Sequence, residues 1–180
     1  MTHVDPGRPG AGEYIPYYEQ YIRLVPDGDI VDILERQLAA TLASTTSLAP
    51  ERARGSAAPE GWSASEVVGH LADAERVFAY RALRFARGDG TPLPGVDFDA
   101  YVPAGGFRRR SLTDVVDEFA SVRRATVTLL RGLDEEAWTR SGLGDGQRVS
   151  VRALAHILAG HEAHHIGDLC GALDPSRARG

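Results

Sequence analysis

The chain has 180 residues, a net charge of −5, 43% hydrophobic and 25% charged residues. That length and balance suit a single soluble globular domain with a substantial core. They disfavour a nucleic-acid partner held by broad phosphate contacts. Cys170 is the one cysteine, so an intramolecular disulfide and a cysteine-rich zinc site are excluded. No signal peptide and no membrane-length apolar run is present, and the cytoplasm is the expected location. All 20 basic residues are arginine.

Residues 1–12 are rich in Pro and Gly and read as a flexible tail, with one domain over 13–175. Glu13 to Ile22 holds four of the six tyrosines. Such a segment wraps a bundle or rims a pocket, and packing is its expected role. Asp29 caps a first helix to about Thr45, with Ile30, Leu34, Leu38 and Thr41 inward. A polar connection with Pro50, Gly55 and Pro59 follows.

Ser63-Ala64-Ser65-Glu66 is a capping box with Trp62 as its staple residue. The second helix runs from Ala64 to Arg87 on a stripe of Val67, Leu71, Ala74, Phe78 and Phe85. His70 sits at the edge of that stripe, where a histidine ordinarily makes a partly buried hydrogen bond. Gly88 to Arg110 is a long irregular segment, long enough to cross the end of a bundle and often functional at that length. Its Asp97 and Asp99 read as solvated loop carboxylates.

Ser111 caps the third helix, which runs to Leu133 with a heptad-like face from Leu112 to Leu133. A short turn at Asp134–Trp138 and a glycine-rich connection lead to Ser150, which caps a fourth helix to Leu173. Four amphipathic helices with one long crossover read as an all-α four-helix bundle.

The fourth helix carries Gly160-His161-Glu162-Ala163-His164-His165. His161 and His165 stand one turn apart, roughly 40° round the helix, and continue the stripe of Leu154 and Leu158. Two imidazoles so placed can share one metal ion, with a third ligand to be found elsewhere. They can also be a hydrogen-bonded core pair. His164 falls to one side of the stripe and His156 faces nearly away from it. Cys170, roughly 140° round from His165, is a poor fourth ligand.

Trp62 to Leu71, Leu93-Pro94-Gly95-Val96-Asp97 with Tyr101-Val102, Arg123-Arg124-Ala125-Thr126 and Gly160 to His165 together resemble the DinB-like superfamily. The similarity spans about Glu13 to Leu169. It implies up-down-down-up connectivity and one divalent ion held by His70, His161 and His165. Zinc is the expected ion and nickel the second. The resemblance also implies a small-molecule substrate and a homodimer, while the net charge and the lack of a long apolar run point to neither nucleic acid nor membrane as partner. Its members suggest thiol S-transfer to electrophiles, using bacillithiol, mycothiol or glutathione, which is the favoured reading. The alternatives are a metal-dependent hydrolase, with Glu162 as candidate base, and a non-catalytic metal-binding stress protein. Asp73, Glu162 and Asp168 are candidates to orient the ligand rings.

Overall fold

A computed structural model describes residues 4–48 and 61–171, with the Cys170 side chain outside the described part. The expected connection through Pro50, Gly55 and Pro59 and the chain beyond residue 171 also lie outside it. The elements are α1 (Glu19–Ile22), α2 (Ile30–Thr46), α3 (Ala64–Ala86), α4 (Phe98–Gly105), α5 (Leu112–Arg131), α6 (Glu135–Thr139), β1 (Ser141–Gly144), β2 (Gln147–Ser150) and α7 (Val151–Gly171).

Each long helix starts where a side chain can accept its free N–H groups. Asp29 accepts from Val31 and Asp32 at the start of α2. Ser63 and Glu66 close the capping box of α3, and Arg108 then clamps Glu66 at 2.8 Å. Ser111 accepts from Asp114 on α5, and Ser150 from Ala153 on α7.

The four long helices form a ring in the order α2, α5, α3, α7, so α2 and α3 lie across a diagonal, as do α5 and α7. Cross-helix pairs give the directions. Gln37 donates to the Ala159 carbonyl and Thr41 to Glu162, so α2 and α7 run parallel. Arg76 pairs with Glu118, and further along Leu83 shares a groove with Leu129, so α3 and α5 are parallel too. Glu35 near the start of α2 pairs with Arg131 at the end of α5. Ala64 at the start of α3 clusters with Leu169 near the end of α7. The connectivity is therefore up-down-down-up. The core is built from the inward stripes, among them Leu34, Phe85, Phe119, Leu130, Leu154 and Ile157, all essentially buried. No helix among the described residues is long and apolar enough to cross a membrane.

Three local features differ from expectation. The glycine-rich connection before α7 is a hairpin, with Ser141 opposite Ser150 and Gly144 opposite Gln147. Its turn is Asp145-Gly146, both at positive φ (57° and 69°), the backbone that suits the twist of two-residue hairpins. The segment Gly88–Arg110 is not wholly irregular. Leu93 bonds to the hairpin through Leu143 and Asp145, and Asp97 caps α4. The crossover is thus pinned rather than loose.

Residues 4–12, expected as a loose tail, are tied down by polar contacts that hydropathy does not reveal. Arg8 donates to the carbonyls of Ile22 and Val25, and Arg152 donates to the Pro6 carbonyl and grips Glu13. This strap also covers α7 from outside. His156, expected to face away from the core, is buried beneath it, with Nδ1 2.9 Å from the Arg152 carbonyl.

The short helix α1 crosses α7 at Gly160. A Cβ there would lie 2.1 Å from the Tyr21 carbonyl oxygen, with only backbone to give way. Gly160→Ala is expected to destabilise the protein by about 1–3 kcal/mol in urea unfolding. Gly167→Ala, exposed on the same helix with nothing within 4 Å, is expected to be neutral or to stabilise by up to about 1 kcal/mol. Equal effects of the two would show that α1 does not constrain α7.

Candidate metal centre

α3 contributes His70, and α7 contributes His161 and His165 from successive turns. Because α3 and α7 are antiparallel neighbours, the edge of the α3 stripe faces the α7 pair. His161 Nε2 lies 3.2 Å from His70 Nε2 and 3.1 Å from His165 Nε2. All three rings are buried. The structure thus brings these three expected residues together, and they form a set of suitable ligand atoms within 4.8 Å of one another.

The donor set fits a divalent ion better than a hydrogen-bonded cluster. One imidazole Nε2 carries either a proton or an in-plane lone pair, so it cannot bond well to two other Nε2 atoms at once. Three nitrogens at roughly 2.0–2.1 Å from a tetrahedral ion would stand roughly 3.3 Å apart. The two spacings to His161 are close to that. Burial lowers the His70 pKa to about 4, with the neighbouring His165 adding to the fall. Burial likewise holds His161 well below its usual value, helped by His165 and His70. Both are therefore neutral at pH 7, as ligands must be.

This has a consequence for stability. Between pH 6.5 and about 4 the unfolded chain protonates His70 and the folded chain does not. Stability of the metal-free protein is therefore full above pH 6.5 and falls on acidification, by up to about 1.4 kcal/mol per pH unit for this group. Urea midpoints of chelator-treated protein at pH 7.5 and pH 5 check this, with His70→Gln expected to flatten the slope. A midpoint that does not change over that range would contradict it.

The histidines form the floor of a cavity of about 420 Å³, also lined by Tyr17, Tyr21, Trp62, Val96, Asp97, Phe98, Asp99 and His164. The crossover and the tyrosine segment do form its wall. Tyr21 packs edge-on to His161 with ring centroids 5.3 Å apart, and Phe98 edge-on to His70 at 6.1 Å. Trp62 tilts over His70 at 5.0 Å and stacks near His165 at 6.2 Å. The residue read as a helix staple is thus a wall of the site. The cavity is not sealed, since Tyr17, Asp97 and Asp99 on its rim are exposed.

The expected carboxylates lie elsewhere. Glu162 is turned about 100° from His161 and points into the bundle. It accepts from Thr41 at 2.7 Å and pairs with Arg123 at 2.6 Å. Burial raises its pKa, and Arg123 and Thr41 oppose the rise. Arg123 also forks onto Glu75, with bonds of 2.7 and 2.6 Å, and all three side chains are buried. Asp73 bonds Arg76, and Asp168 lies 3.7 Å from His164 rather than behind a ligand ring. The ion triad was not foreseen. Its signal was that Glu75 follows Leu71 by four residues, and Glu162 follows Leu158 by four, so both are charges on apolar stripes.

A buried three-histidine centre inside an up-down-down-up bundle defines a class of helical proteins suited to binding a divalent ion. The chain belongs to the DinB superfamily, which it matches over residues 33–169. It is similar in structure to YfiT from Bacillus subtilis, described as a probable metal-dependent hydrolase with an unusual four-helix bundle topology. The TM-score is 0.72 at 17% identity, covering 94% of this chain and 96% of that one, a likeness of fold. No curated protein sequence matches the chain.

Proposed function

We propose that this protein is a metal-dependent enzyme that joins a low-molecular-weight thiol to an electrophilic small molecule. The observation that carries the reading is the convergence of the His70, His161 and His165 Nε2 atoms on the floor of an open cavity. A divalent ion there, zinc first and nickel second, supplies a Lewis-acidic position with an open site for sulfur or water. The protein's own residues hold and orient. Tyr21, Trp62 and Phe98 brace the imidazoles, and the cavity is of a size for a small ligand.

Thiol transfer is preferred because Glu162, the base expected for hydrolysis, is engaged elsewhere. Glu162 is fully buried between Thr41 and Arg123 and does not line the cavity. Its carboxylate cannot take a proton from a molecule bound there. Hydrolysis stands second, favoured by the likeness to YfiT.

The test is to load the protein with zinc or nickel and supply bacillithiol, mycothiol or glutathione with a haloalkyl electrophile. The thiol gives up its proton, a carbon–sulfur bond forms and halide leaves. Metal-dependent thioether formation by mass spectrometry, lost on chelation, is the expected result. Turnover of an ester or amide panel without thiol consumption would move the assignment to hydrolysis.

A further inference from the structure

We infer that the cavity takes a substrate or co-substrate whose portion away from the histidine floor is uncharged or positively charged, and turns away carboxylate-bearing ones, so that of the three thiols the uncharged mycothiol is favoured over glutathione and bacillithiol, which carry carboxylates. The inference deepens the proposed function and rests on that cavity being the site. The three converged imidazoles mark its floor as built for a ligand. Above the floor the walls are aromatic, from Tyr17, Tyr21, Trp62 and Phe98, and the rim carries Asp97 and Asp99.

No arginine lines this cavity among the described residues, although the chain holds 20 and no other permanent cation. A carboxylate is ordinarily met by an arginine fork or by a helix N-terminus. The helix start on this wall belongs to α4, and Asp97 already occupies it by accepting from Ala100. At the rim, away from the histidine floor, an incoming carboxylate would lose water beside two fixed carboxylates and gain no arginine among the described residues in return. An ammonium group would meet those carboxylates and the negative faces of the rings. A hydroxyl-bearing tail would meet neither penalty.

The zinc-loaded protein is titrated by calorimetry at low ionic strength with aminohexanethiol, hydroxyhexanethiol and mercaptohexanoate. These share a sulfur and a chain length and differ only in the charge of the far end. The amine and the alcohol are expected to bind at least about tenfold tighter than the carboxylate. The Asp97→Asn, Asp99→Asn double variant is expected to bring the three within about threefold, since Asn preserves the α4 cap. Carboxylate binding as tight as the alcohol's, or an unchanged ratio in the double variant, would overturn the inference.

A second series, benzylamine, benzyl alcohol and benzoate on metal-free protein, needs neither thiol nor metal. The same order is expected there. If no thiol binds, thiol transfer fails while this series still decides the charge preference. Benzoate binding as tightly as benzyl alcohol, or no binding of benzylamine, would overturn it.

Discussion

Replacing Arg123 by methionine is expected to destabilise the protein by about 3–5 kcal/mol, the largest effect of any single change outside the apolar core. The guanidinium is buried and holds Glu75 on α3 and Glu162 on α7 at once. Removing it leaves two carboxylates facing each other out of reach of water. Both must then protonate, or water must enter the bundle. Urea unfolding at pH 7 measures the loss. The triple replacement Glu75→Gln, Arg123→Met, Glu162→Gln is expected to recover most of it, because desolvation of the charges disappears with the charges. A single variant that loses less than about 1 kcal/mol would show that the triad adds little. A second readout reports on the site. Arg123 lies on α5, which carries no candidate ligand, yet it ties together the two helices that do. Zinc affinity of Arg123→Met at low temperature, where the fold persists, is expected to fall although no side chain facing the cavity has changed.

The other large effect is expected at His161. Its Nε2 lies within 3.2 Å of both other imidazoles, so His161→Ala removes the centre of the cluster. Affinity for zinc is expected to fall by more than about 100-fold, beyond what loss of a supporting partner would cause. His156→Ala is the matched control. That ring is also buried on α7, but it bonds the Arg152 carbonyl and takes no part in the cavity. Elemental analysis after dialysis distinguishes them, with stoichiometric metal in His156→Ala and none in His161→Ala. Equal content in both would refute the ligand assignment.

Much of the fold was legible because helix starts are local events. Asp29, Ser63, Ser111 and Ser150 each satisfy N–H groups two or three residues ahead, and no distant contact is needed to choose them. The hairpin was not expected: Asp145-Gly146 is a local turn signal for it, but four-residue strands containing Gly142 and Gly144 have too little alternation to stand out. Gly142 is there for a tertiary reason, since a Cβ would strike the Phe85 ring. The strap over residues 4–12 left no hydrophobic signature, because it is held by arginines bonding to carbonyls.

The sequence by itself determined the four helix starts, the stripes they bury and the pairing of His161 with His165, all consequences of 3.6-residue periodicity and capping within one helix. Only the tertiary structure decided which side chains meet across helices. It placed His70 against the pair, turned Glu162 to Arg123 instead of the cavity, and set Trp62 and Phe98 beside the imidazoles. Those outcomes depend on the diagonal placement of α2 and α3 and the antiparallel contact of α3 with α7. Such relations join residues tens of positions apart, and no local preference encodes them.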